Sequence, residues 1–156
     1  MASVPGLETG IHVYFALLAL LSTAALISIV FAGSTNKRLI KILAIAAALF
    51  TWFAWFSVIN VYTIEYATDK AVIVKYPQTE LAHELGMEVK EHIFYTGLLL
   101  TTLLPLLSYA IDIEKPWNRK LILWVAILVL LGGIIMDILG GWISIAAKQA
   151  WSLKGG

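Results

Sequence analysis

The chain has three histidines, and two of them open apolar stretches of similar pattern: His12 begins "HVYFALLALLSTAALIS" and His92 begins "HIFYTGLLLTTLLPLLS". An imidazole nitrogen is a common metal ligand and a proton carrier near neutral pH. Helical bundles build haem and metal sites from side chains on facing helices, so two imidazoles at one depth would grip both faces of a planar iron macrocycle. The other reactive group is Asp137, set in the apolar run "GGIIMDILGGWIS". A carboxylate in such a run is costly and marks a functional site by default.

The neighbours of the histidines suit this reading. Four residues on, at helical spacing, stand the small Ala16 and Thr96, which leave room beside each ligand, and three residues on stand Phe15 and Tyr95, which would flank a ring. Lys90 and Lys148 are placed to meet haem propionates. Asp137, with Asn60 as a second candidate, could accept the N–H of a ligating imidazole or relay a proton to a bound quinol. The chain has no cysteine, so thiolate iron–sulfur ligation, covalent haem attachment through CxxCH and disulfides are all excluded. The expected cofactor is therefore a non-covalent haem b with His12 and His92 as axial ligands, and quinone is a second ligand. Two other readings stay open. The histidines could be polar residues at lipid headgroups, or a copper or iron ion could bind directly, with Glu80, His83, Glu84, Met87 and Glu88 adding ligands. Trp52 and Trp55 could wall a cofactor pocket, while the other tryptophans suit an aromatic belt. Walker, nucleophile-elbow and HExxH motifs are absent, which argues against hydrolytic chemistry.

The elements that must carry these residues are apolar helices. The chain is 60% hydrophobic and 13% charged, with a mean hydropathy of +0.87. Runs near residues 11–33, 39–62, 92–111 and 121–147 each reach the ~20 residues needed to cross ~30 Å of hydrocarbon. The first run lacks a basic leader and reads as a retained span. Short links, "GSTNKR" and "DIEKPWNR", make sequential helices antiparallel neighbours. The expectation is an all-α integral membrane protein, an up-down-up-down bundle of four transmembrane helices forming one domain over residues 1–156. These links are basic, whereas the longer segment between the second and third helices is rich in acid. The positive-inside rule then puts both termini and that segment outside the plasma membrane. Within that segment "TIEYATDKAVIVKYP" reads as β-rich about a turn, and "TELAHELGMEVKE" as helical with Thr79 as N-cap and Gly86 as a kink. A net charge of +1 gives no reason to expect a nucleic-acid partner. The expected partners are the lipid bilayer and a larger membrane complex or a second copy of the chain.

The two halves also match each other. Pairing His12 with His92 continues through Leu18/Leu98, Leu26/Leu106 and Ser28/Ser108, and "NKRLIKILAI" from Asn36 pairs with "NRKLILWVAI" from Asn118. We read a tandem duplication of a two-helix unit, with repeats at about 10–62 and 92–147 and an external cap at about 63–91.

His12 with "FALLALL", "KEH" ending at His92, and "LGGWIS" ending at Ser144 together resemble a prokaryotic four-helix integral membrane domain of unknown function linked with haem binding. Small membrane b-type cytochromes are a functional analogy. The expected function is thus electron transfer between a membrane quinone and a partner at the outer face. The alternatives are an accessory subunit of a respiratory or oxidase complex, a small copper or iron site, and a transporter. As an enzyme the chain would at most be an oxidoreductase subunit.

Overall fold

The computed structural model describes residues 7–155, apart from the side chain of Asn60. Those residues form helices and connections, with no strand among them. In chain order they are α1 (Leu7–Phe31), α2 (Lys37–Asn60), a π-helical segment (Val61–Tyr66), α3 (Ala67–Ile73), α4 (Pro77–Leu81), a second π-helical segment (Ala82–Met87), α5 (Glu88–Ala110) and α6 (Pro116–Gly155). Four helices are long and apolar enough to cross a membrane: Leu7–Phe31, Lys37–Ile59, Pro77–Ala110 and Pro116–Gly155. Outward-facing Leu21, Leu99, Leu106 and Ile138 give these helices a coat suited to hydrocarbon.

Local chemistry sets the boundaries. α1 ends at Gly33, whose positive φ of 77° allows the Gly33 N–H to reach the Val30 carbonyl and the Ser34 N–H to reach the Ile29 carbonyl, closing a Schellman turn. Asn36 caps α2 by accepting the Leu39 N–H at 3.1 Å. Pro77 occupies the first turn of α4, where its missing N–H costs nothing.

The main packing pairs are α1 with α2, α2 with α5, α5 with α6, and α1 with α6. The solid core lies toward the end that carries the two short links, where Leu26, Ile40, Ala44, Leu104, Ile122 and Ala126 are closed off from solvent. Those links are tied together there: Lys37 reaches Glu114 at 2.8 Å and the Arg119 guanidinium donates to the Gly33 carbonyl at 2.9 Å. At the other end, α3, α4 and the second π-helical segment pack on the last third of α6, burying Val72 and Ile73 against Ala147 and Ala150. α6, with 40 residues, is about 60 Å long, well beyond a ~30 Å hydrocarbon layer.

Two expectations for the cap are corrected. The β-branched stretch after Tyr62 is helical, because α6 offers Val72 and Ile73 an apolar helix face and the Thr63 and Thr68 hydroxyls bond back to the carbonyls of Ile59 and Ile64. Thr79 is not the cap of α4. It lies inside the first turn with its hydroxyl donating to the Ile73 carbonyl at 2.7 Å, and Tyr76 holds the cap position. Gly86 falls within the second π-helical segment, and a Cβ there would meet the Trp142 ring at 3.2 Å. The chain therefore crosses Gly86 with its backbone pressed close to α6.

A candidate ligand-binding cleft at the cap end

Between the solid core and the cap the bundle opens into a cleft of about 590 Å³. Its size and mixed lining fall within the usual range for small-molecule sites. Each helix contributes one face at helical spacing. α1 gives Thr9, His12, Ala16, Ala19 and Thr23; α5 gives Lys90, Ile93, Gly97 and Thr101; α6 gives Val129, Gly132, Gly133, Met136, Asp137, Gly140 and Gly141. Trp55 from α2 and Phe94 from α5 stack at 6.2 Å between centroids and 22° between planes, forming an aromatic wall.

The polar groups are set individually. His12 Nδ1 lies 2.8 Å from the Ala54 carbonyl oxygen. A carbonyl can only accept, so Nδ1 carries a proton, and in the neutral ring Nε2 keeps its lone pair; that ring lines the cleft. Lys90 reaches over Gly140, where an added Cβ would sit 3.2 Å from the ammonium nitrogen, so the missing side chain makes the seat for that charge. Asp137 stands one turn before Gly140 on the same face of α6. Among the described residues, neither Lys90 nor Asp137 joins an ion pair.

Toward the cap the cleft is lined by Tyr62, Glu65, Tyr66 and Asp69. Glu65 accepts from the Thr9 hydroxyl at 3.0 Å, and Asp69 accepts from the Trp151 indole at 2.8 Å. The Tyr62 hydroxyl donates to Glu91 at 2.5 Å, and that bond is the first cause raising its pKa above the ordinary phenol value. Tyr66 OH and His83 Nδ1 lie 2.6 Å apart, and burial pushes the Tyr66 phenol up to about 12. Both phenols therefore stay protonated at physiological pH.

Of the residues expected from sequence, the cleft gathers His12, Ala16, Lys90 and Asp137. It leaves out His92, which is exposed and donates from Nδ1 to the Glu88 carbonyl at 2.7 Å. The expected face-to-face pair of imidazoles is not formed. The reason is rotational: Ile93, not His92, carries the cleft face of α5, and adjacent residues on a helix point about 100° apart. Tyr95 and Thr96 share the displacement and are exposed. Phe15 is used elsewhere, packed on Phe53 and Phe50 between α1 and α2 at 5.3 and 6.3 Å. Lys148 is exposed and does not line the cleft. The expected metal-ligand set about His83 is not assembled. Among the described residues no three His, Asp or Glu side chains come close enough to hold an ion, and His83 Nδ1 is taken by Tyr66. Trp52 donates to the Thr102 hydroxyl at 3.0 Å, tying α2 to α5, so of the two candidate wall tryptophans Trp55 is the one that lines the cleft. Asn60 ends α2, and its side chain lies outside the described residues.

Sequence reasoning missed Thr9, Tyr62, Glu65, Tyr66 and Asp69. The signal was there: Tyr62, Glu65, Tyr66 and Asp69 recur at spacings of three, one and three, a helical face hidden by a strand reading. No protein-family profile, curated protein or solved structure matches this chain, so the likeness to the four-helix prokaryotic domain and to b-type cytochromes gains no support there.

Proposed function

We propose that this chain is a membrane electron-transfer component that binds a quinone or quinol in the cleft at its cap end. The observation that carries the reading is the convergence of His12, Lys90 and Asp137, from three different helices, on one apolar-walled cavity. A quinone presents two carbonyl acceptors on a flat ring, and a quinol presents two hydroxyl donors. The Lys90 ammonium is a donor for the first; His12 Nε2 and the Asp137 carboxylate are acceptors for the second. The glycine face of α6 and the Trp55–Phe94 pair suit a flat ring between them. The electrons would pass to a one-electron acceptor on a partner protein, which suits a subunit of a larger membrane complex.

The haem reading keeps one specific support. With Nδ1 donated to a carbonyl, His12 offers Nε2 to a metal in the manner of a ligating histidine. The remaining residues fit haem less well, since His92 and Lys148 lie outside the cleft and Glu65 and Asp69 would repel propionates. Of the two histidines expected to hold a haem iron, His12 lines the cleft and His92 does not.

The two readings separate in two measurements on detergent-purified protein. Titration with decylubiquinone should quench tryptophan fluorescence, the Trp55→Phe variant should lose most of that quenching, and His12→Ala and Lys90→Met should each weaken binding about tenfold, the worth of one hydrogen bond near 1.4 kcal/mol. Flat titrations in the wild type would remove the quinone reading. A Soret band that vanishes in His12→Ala would put haem in its place.

A further inference from the structure

Tyr66 occupies the border of the cleft. Its ring stacks on Tyr62 at 5.9 Å and packs against the small apolar cluster of Val72, Ile73 and Ala147. Its hydroxyl meets His83 Nδ1 at 2.6 Å, while His83 itself is half-buried on the second π-helical segment. Both residues sit in π-helical turns, Tyr66 closing the first and His83 near the start of the second. Wide turns of this kind recur at functional sites, where they re-aim side chains that a regular helix would send elsewhere.

We propose that the Tyr66–His83 couple is the proton outlet of the cleft. This inference rests on the quinol reading above. The carboxylates near Tyr66 do not offer the same route: Asp69 is held by the Trp151 indole and Glu65 by the Thr9 hydroxyl, both uncharged donors that keep the carboxylate in place. Tyr66 is the lining residue whose hydroxyl is joined to an imidazole.

The step balances without a redox partner of its own. A proton released from a quinol hydroxyl to Asp137 moves through cleft water to the Tyr66 oxygen as the phenolic proton passes to His83 Nδ1. The imidazolium then sheds its Nε2 proton to the outside. This leaves the Nδ1–H tautomer, and tautomer exchange through solvent restores the start. The two electrons of the quinol leave separately, to a one-electron acceptor.

The test uses the full-length protein in detergent with decylubiquinol as substrate and ferricyanide as the one-electron oxidant; each quinol yields two electrons and two protons. Wild type should speed this oxidation over the uncatalysed rate. Tyr66→Phe and His83→Gln should each slow it roughly tenfold or more, the usual scale for losing a proton-transfer group, and should raise the solvent deuterium isotope effect. Decylubiquinone binding, read by Trp55 quenching, should be unchanged in His83→Gln, whose side chain does not line the cleft. Full binding with wild-type rates and isotope effects in both variants would overturn the outlet, as would full binding with no acceleration by the wild type. Absence of quenching in the wild type is a different failure, which removes the quinol reading itself and the outlet with it.

Discussion

Filling the cleft should make the protein more stable while weakening the proposed quinone binding, an outcome opposite in sign to ordinary damage. Gly97 is the position to fill. It lines the cleft from the interior of α5, and a Cβ built on it meets nothing within 4 Å. Gly97→Leu removes the penalty of about 1 kcal/mol that glycine carries inside a helix. It also places apolar carbon against the cleft wall, where full burial is worth about 0.8 kcal/mol per methylene. The cleft is open, so only part of that second gain is realised, and the net stabilisation should be about 1–2 kcal/mol. For a chain of this size each kcal/mol moves the midpoint by about 2–4 °C, so thermal unfolding in detergent should shift upward by several degrees. The leucine would stand in the ligand's space opposite the glycine face of α6, and decylubiquinone quenching of Trp55 should fall at least tenfold. The control is Gly133→Leu, which has the same helix gain, but there the Cβ alone would lie 2.6 Å from Leu20 Cδ2, so Leu20 must shift and this variant should be less stable than Gly97→Leu. A destabilised Gly97→Leu would show that the space is not there. A stabilised variant that binds quinone normally would show that the ligand sits elsewhere.

The core and cap should respond independently. Leu104 is fully buried among Leu26, Ile40 and Ile122, so Leu104→Ala should lower stability by about 2–5 kcal/mol in detergent unfolding while leaving quinone affinity within about twofold, because the cavity it creates lies in the solid end. In a spectrophotometric titration of the tyrosines, one phenol should ionise near 12, about two units above an ordinary tyrosine, and Tyr66→Phe should remove that step. Because the raised pKa favours the neutral phenol in the folded state, its contribution to stability is complete below about 10 and is lost as the pH climbs toward about 12. A titration in which all phenols ionise together near 10 would refute the burial of Tyr66 against the cap.

The four apolar helices and their two short links were legible in the sequence because membrane-length hydrophobic runs and Gly-Ser-Thr-Asn or Pro-Asn punctuation act locally. Asp137 was legible for the same reason, as an acid that an apolar run does not otherwise tolerate. The cap was not. "TIEYATDKAVIVKYP" has the β-branched content of a strand, and what turns it into helix is α6, whose extension beyond a membrane span offers Ala147 and Ala150 as a surface. The π-helical turns have no propensity signature, so the convergence of Tyr66 and His83 could not be placed either. The paired Asn-basic-basic links show a subtler failure. Asn36 caps α2, whereas Asn118 lies within the first turn of α6 and its amide donates to the Asp112 carbonyl at 2.8 Å, because Pro116 has already started that helix. Like residues at matched positions took different work.

The same divergence decides the histidines. The sequence match pairs His12 with His92, Ala16 with Thr96 and Thr23 with Leu103. The packing pairs them differently: the cleft-facing set His12, Ala16 and buried Thr23 on α1 corresponds in spacing to Ile93, Gly97 and buried Leu104 on α5. The packing register is therefore one residue out of step with the sequence register, a rotation of about 100°. That single step explains at once why His92 and Tyr95 face outward, why Lys90 and Gly97 face inward, and why the site is asymmetric. A symmetric site would have offered two like ligands to one metal. The rotated one sets an imidazole acceptor on α1 against an ammonium donor on α5, with the Asp137 carboxylate of α6 beside them, and such a mixed set suits a ligand that exchanges protons as well as electrons.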